Sequence, residues 1–315
     1  MEIQETKAEL LDLITFFLKQ HNGYELLPVS HRLIILDSNI LLAKALAALS
    51  QNGEEASPIW NSESGAYVGL FTYRCLADLM LYYYKNFSFE EAMEDIKQLT
   101  LEDLKDILPK DNLTLNPKVR SSPMVSLYRV SKQLLETSLN SVPLVDIDTS
   151  TKRDVVVANL TTYQVLQFMA SNIKEKELLS YLTLEHMNIG TYGGLSVVNM
   201  KTPVIEIISL FVDNDVSVVP IIDESGTLIN AFDRSDLKNF IRHGMLNNLE
   251  MPVEEAIQLR SSDYSGVHTC KRKDNLWSVL TTVRNEFIYR LIVIDDDTKP
   301  IGIITLSDIL KSLIK

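Results

Sequence analysis

Two short corners carry most of the chemistry that the residue types of this chain allow. Thr305-Leu306-Ser307-Asp308 and Asp233-Arg234-Ser235-Asp236 each stand where an apolar, strand-like run passes into a helix-like one. A carboxylate in the first turn of a helix caps free backbone N–H groups and is favoured by the helix dipole. The same carboxylate can accept hydrogen bonds from two vicinal hydroxyls, as acidic residues do for the ribose of a nucleotide. Spacing alone leaves both readings open. Other chemistry finds less support. The sequence contains no Gly-rich phosphate loop ending in Lys-Ser/Thr. His21, His31, His186, His243 and His268 are scattered, and the sequence offers no Ser-His-Asp set, paired catalytic carboxylates or metal-ligand cluster. Cys75 and Cys270 make neither a disulfide framework nor a zinc set, and read as buried thiols of a reducing compartment.

Charge narrows the partners. The 30 basic residues are outnumbered by 42 acidic ones, a net charge of −12, which argues against nucleic acid and against anionic membrane surfaces. A ligand with one or a few phosphates still fits wherever basic side chains gather. No run approaches the ~20 apolar residues of a spanning helix, and the acidic start Met1-Glu2-Ile3-Gln4-Glu5 is no signal peptide. With 46% hydrophobic residues in 315, the chain has ample material for packed cores.

The elements that must hold the corners recur four times. Pro58-Ile59-Trp60-Asn61, Pro143-Leu144-Val145-Asp146, Pro220-Ile221-Ile222-Asp223 and Ile292-Val293-Ile294-Asp295 end 85, 77 and 72 residues apart. Each step is long enough for a small α/β unit. In the fourth, Asp274 is the expected N-cap of a helix carrying Leu276, Val279, Leu280 and Val283 on one side. Leu291–Ile294 reads as a strand, Asp295–Pro300 as a turn and Ile301–Ile304 as the partner strand. A second helix then opens at Ser307-Asp308. The other units fit the same order, with Glu90–Ile96 as a solvated connecting helix and 107–123 as a linker. A lone hairpin with one helical face is marginally stable, so the units are expected to pack in pairs.

Four stretches carry a resemblance to a known family. They are Tyr24-Glu25-Leu26-Leu27-Pro28-Val29-Ser30-His31-Arg32-Leu33-Ile34, Ile189-Gly190-Thr191-Tyr192, 259–270 from Leu259-Arg260-Ser261 to His268-Thr269-Cys270, and 302–310 from Gly302-Ile303 to Ile309-Leu310. With the fourfold layout, they resemble the cystathionine-β-synthase-type (CBS) repeats of AMP-activated protein kinase gamma subunits, particularly the fungal type. The resemblance implies an α/β fold: four helix-strand-strand-helix repeats packed as two Bateman modules in a flat pseudo-symmetric disk. It implies an N-terminal helix at 1–23 and a first CBS pair at 24–172, with repeats at about 30–86 and 112–172. The second pair spans 173–315, with repeats at about 187–246 and 262–315. It further implies a non-catalytic regulatory subunit, cytoplasmic and nuclear, that binds AMP, ADP or ATP mainly in one pocket of the second pair. Its partners are a kinase catalytic alpha subunit and a scaffold beta subunit, with no nucleic acid and no membrane.

The resemblance also assigns residues. Asp308 with Ser307 and Thr305 keeps the family's ribose-binding pattern in full, while Asp236 keeps only the carboxylate. Gln164 and Cys75 stand at the same position in the second and first units, where a pocket is expected to be weak or empty. Thr191 and Ser196 match positions lining base and ribose, and Ser217 matches a polar neighbour of phosphate or sugar. Arg290 and Arg260 match phosphate-contacting positions; an ordinary ion pair is the alternative for each. Tyr289 stands where relatives often have His, and Asn140-Ser141 replaces a basic pair. Lys271-Arg272-Lys273 reads as a solvated loop within reach of outer phosphates. Ile34-Ile35-Leu36 reads either as an edge offered to a partner's sheet or as the entering strand of the first unit. Two other functions remain in view. A CBS-decorated enzyme is disfavoured because the four units use nearly the whole chain, and a structural subunit with degenerate pockets is the alternative to a sensor.

Overall fold

The computed structural model describes residues 2–27, 32–52, 54–108, 115–137, 139–243, 248–262, 264–286 and 288–314. Residues 28–31 of the first family-like stretch and Asp263 of the third lie outside them, as does part of the expected linker, at 109–114. The four sequence units are four copies of one motif. In the fourth, the helix Leu276–Glu286 leads to antiparallel strands Arg290–Ile294 and Pro300–Thr305, and the helix Leu306–Leu313 follows without a loop. The third has Val204–Asp213, Val218–Ile222, Leu228–Asp233 and, after the short turn Arg234–Asp236, Leu237–Arg242. The second has Leu127–Thr137, Ser141–Ile147, Asp154–Thr161 and Thr162–Asn172. The first has Leu42–Asn52, Ala56–Asn61, Ala66–Thr72 and Tyr73–Asn86.

The recurrent Asp or Asn proves to be the turn maker. Asp223 Oδ1 accepts the N–H groups of Ser225 and Thr227, both at 2.9 Å, and Asp295 Oδ1 accepts those of Asp297 and Lys299 at 3.0 and 2.8 Å. Asn61 does the same for Ser64. In the second unit the hairpin is longer, and Asp148 rather than Asp146 takes this part. Those hydrogen bonds, first among them the one from Ser150, hold the Asp148 pKa down at about 2. A β-bulge shifts the register at the same place in every unit, after Ile59, Leu144, Ile221 and Val293. The expected N-cap Asp274 is displaced by one residue. Asn275 Oδ1 accepts the Ser278 N–H at 2.8 Å, whereas Asp274 Oδ2 turns back to Lys271.

Each hairpin gains a parallel neighbour from the chain that enters it. Leu36–Asp37 pairs with Ile59–Trp60, Val198–Asn199 with Ile221–Ile222 and Thr269–Cys270 with Ile292–Val293; the second unit has one bridge, Ser121 to Leu144. Leu36 thus belongs to the sheet of its own unit, the entering-strand reading. Thr191–Tyr192 adds a further edge to the fourth sheet beside Gly302. A Cβ at Gly302 would come within 2.6 Å of the Tyr192 ring, so only glycine permits that approach.

The units close into a ring through alternating contacts. Sheets of units one and two meet at Tyr67, Val145 and Val156, and those of three and four at Val218, Ala231 and Ile292. Helices join the two pairs. Leu46, Leu76 and Met80 of the first unit share a core with Ile208, Phe211 and Phe240 of the third. Val130, Leu166 and Met169 of the second share another with Leu280, Ile309 and Leu313 of the fourth. The N-terminal helix Glu2–Gln20 fills the second core with Leu10, Ile14 and Leu18, all fully buried, while its Phe16 is 64% exposed.

Two outcomes check this packing. Ile14→Ala should cost about 2–5 kcal/mol in urea unfolding, and Phe16→Ala less than about 1 kcal/mol. Cys75 and Cys270 are unbridged and buried, and burial pushes the Cys270 thiol up to about 12. Neither should react with a thiol reagent at pH 8 until the chain is unfolded, when both titrate.

Candidate functional site

A helix that starts where a strand ends has no earlier turn to receive its first N–H groups. Two residues, three apart, solve this together at three of the four corners. Thr305 Oγ1 accepts the Asp308 N–H at 3.2 Å, and Asp308 Oδ2 accepts the Thr305 N–H and hydroxyl, both at 2.8 Å. In the second unit Thr161 and Gln164 make the same box, with Gln164 Oε1 taking the Thr161 N–H at 2.9 Å. In the third, Asp236 Oδ2 takes the Asp233 N–H at 2.8 Å. In the first, Thr72 Oγ1 takes the Arg74 N–H at 3.2 Å and lies 3.7 Å from Cys75 Sγ. Cys75, Gln164, Asp236 and Asp308 are therefore one position in four copies, and the capping reading holds for all three polar ones.

Capping uses one oxygen, so the other decides what else a corner can do. Both Asp236 oxygens also meet Arg260: Nε to Oδ1 at 2.8 Å and Nη2 to Oδ2 at 2.6 Å. Arg260 bonds Asn230 Oδ1 and the Ala231 carbonyl as well, and stacks 4.1 Å from the Tyr264 ring centre. The pair is only 6% and 9% exposed. Burial opposes the Arg260 charge, but the hydrogen bonds and charge of Asp236 outweigh it and hold the guanidinium pKa above its ordinary value. Asp308 is half-buried, and among the described residues no hydrogen bond reaches its Oδ1. One corner is closed and the other open.

The open corner adjoins the centre of the ring. Thr305 is the register partner of Arg290 on the neighbouring strand. Arg290 Nη1 donates to the Ser217 carbonyl at 3.1 Å. Thr305, Arg290 and Ser217 line one central cavity of about 110 Å³ to which all four units contribute, including Thr72, Thr161 and Asn140. Arg290 also forms part of a second cleft, between units three and four, with Tyr264, Gly266 and Val267. Burial draws the Arg290 pKa below its ordinary value, and Glu55 pulls it back up.

The remaining expected residues are placed in different ways. Ser307 Oγ donates to Asn140 Oδ1 of the neighbouring second unit at 2.5 Å. Thr191 sits exposed on the edge strand opposite Ile303, next to Tyr192, whose ring carries Arg272 at 4.4 Å. Ser196 Oγ accepts from Asn214 Nδ2 at 3.2 Å. Sequence reasoning did not place Glu54, Glu55 and Arg74 at this centre, and Asp233 and Arg234 entered only as the surroundings of Asp236; all five line the central cavity with Arg290. The signal was present: Glu54-Glu55 immediately precedes the first strand of its unit, as Asn140, Ser217 and Tyr289 precede or open theirs. Among the described residues, no helix is long and apolar enough to cross a membrane, and no group of three or more His, Cys, Asp or Glu could hold a metal ion.

Comparisons with known proteins agree with this architecture. The CBS domain family model matches residues 195–243 and 261–315. The 5'-AMP-activated protein kinase subunit gamma of Saccharomyces cerevisiae is 35% identical over 304 residues, 96% of this chain and 93% of that protein. Its counterpart from Kluyveromyces lactis is 36% identical over 302 residues, 96% of this chain and 91% of that one. In fold, the chain is similar to a Methanocaldococcus jannaschii crystal structure proposed as an archaeal homolog of the gamma subunit. That match has a TM-score of 0.71 at 16% identity and covers 92% of this chain and 99% of the other. With relatives 35 and 36% identical that match it over 96% of its length, the chain belongs to the family of 5'-AMP-activated protein kinase gamma subunits.

Proposed function

We propose that this chain is a non-catalytic regulatory subunit that senses AMP, ADP and ATP for a heterotrimeric Ser/Thr kinase of the AMP-activated type. The observation that carries the reading is the unengaged Oδ1 of Asp308, beside a capped Thr305 and the Arg290 guanidinium. Ribose hydroxyls bond Asp308 and Ser307, Thr191 and Ser196 border base and sugar, and phosphate meets Thr305, Ser217 and Arg290. Asp236 and Arg260 serve a second nucleotide only after leaving each other, so that pocket fills later. The partners are a catalytic alpha and a scaffold beta subunit, in cytoplasm and nucleus. The functional division is a helix at 1–23 and CBS pairs at 24–172 and 173–315. A sensor of this kind needs differential affinity between two states, not a chemical step.

Nucleotide titration with thermal unfolding tests the pocket. At a hundredfold excess over Kd a bound nucleotide should add about 2.7 kcal/mol of stability. Asp308→Ala should abolish the response, and an unchanged response overturns the assignment. Cys75, Gln164 and the closed Asp236 favour one other reading, a structural subunit with dead pockets, which predicts no response from the unaltered chain either.

The closed corner has its own test. Arg260→Met strands a buried carboxylate and should cost about 3–5 kcal/mol in urea unfolding. Adding Asp236→Leu should recover most of that loss, while the response through Asp308 persists.

A further inference from the structure

The ring centre is not the simple basic funnel that a phosphate site would suggest. Three arginines line it, Arg74, Arg234 and Arg290, and so do three carboxylates, Glu54, Glu55 and Asp233. Each arginine is already matched. Arg74 and Arg234 share Asp215 at 2.7 and 3.7 Å, and Arg290 meets Asp233 and, at 3.8 Å, Glu55. Burial first, and the neighbouring Glu55 second, hold the Glu54 carboxyl above its ordinary range, so the first unit's entry already disfavours a further negative charge.

The two partners of Arg290 are not equally replaceable. Asp233 is fixed twice, because its Oδ1 also caps the Ser235 N–H at 2.7 Å. Glu55 makes the longer contact, its side chain is 34% exposed, and it has room to turn toward solvent. An incoming phosphate can exchange with Glu55 at Arg290 without uncapping a helix. Each further phosphate then adds negative charge beside Glu54, Glu55 and Asp233 and finds no unmatched cation among the described cavity residues.

We propose that Glu55 is the carboxylate a nucleotide's phosphate displaces from Arg290, and that its charge makes the site prefer adenine nucleotides with fewer phosphates. The proposal rests on the nucleotide reading of Asp308 and adds a specificity residue contributed by the opposite CBS pair.

Calorimetric titration of the full chain with AMP and with ATP, in magnesium-free buffer, tests it. The proteins are the unaltered chain, Glu55→Gln, and Glu63→Gln as a control in the exposed hairpin turn. Arg290 keeps Asp233 and the Ser217 carbonyl in Glu55→Gln, so the fold has no orphaned cation. Removing one charge at this distance should tighten ATP about tenfold and AMP about threefold or less, with no change in the control. An equal change for both nucleotides, or none, while AMP binding still depends on Asp308, overturns the role of Glu55 and leaves the pocket standing. Absence of AMP binding to the unaltered chain, or binding untouched by Asp308→Ala, overturns the pocket itself and this inference with it.

Discussion

A helix launched directly from a strand end must find acceptors for its first N–H groups at the corner itself, and this chain builds that corner four times around one point. Thr72 with Tyr73, Thr161 with Thr162, Asp233 with Arg234 and Thr305 with Leu306 all border the same central cavity. The cap comes first energetically, since losing an N-cap costs about 1 kcal/mol whether or not a ligand is present. Function can use only the valence left over. Cys75 leaves a buried thiol, Gln164 commits its carbonyl oxygen to Thr161, and Asp236 gives its surplus to Arg260. Asp308 alone among the four retains a carboxylate oxygen that no described residue engages. A fourfold structural demand thus produces one chemically open position.

Ring closure supplies the second half of the site. Arg290 opens the first strand of unit four, yet its partners come from elsewhere: Asp233 and Ser217 from unit three, Glu55 from unit one. Sheets join units three and four, helices join one and three, and the guanidinium stands where those contacts meet. Neither CBS pair contains this arrangement alone. The buried guanidinium also explains why carboxylates gather there, because an unpaired charge at that depth would be costly.

What could be read from the residues follows from how local each feature is. The helical spacing of Leu276, Val279, Leu280 and Val283, the strand Leu291–Ile294 and the Asp295 turn all depend on neighbours within a few positions, and all are found. The cap at Asn275 rather than Asp274 is a local misreading where two adjacent residues were equally suitable. The ion pair of Asp236 with Arg260 bridges 24 residues, and that of Glu55 with Arg290 joins the first unit to the fourth. No periodicity records such contacts. Glu54 and Glu55 reach the centre only because ring closure brings the entry of the first strand there.

The same geometry bears on how a bound ligand could be felt beyond its pocket. Coupling requires an element with two arrangements whose balance the ligand biases. Arg290 is such an element if phosphate and Glu55 compete for it, because one guanidinium then links the fourth unit either to the first unit or to the ligand. When Glu55 is released, the carboxylate stays tethered one residue ahead of the strand Ala56–Asn61, whose own ladder to Ala66–Thr72 ends at the Thr72 cap. A change of partner in unit four therefore alters charge at the corner of unit one. There Thr72 and Arg74 line the cavity, and Arg74 holds Asp215 of the third unit. The path is short and made of charged contacts rather than packed cores. A nucleotide held by one unit would thus register in three.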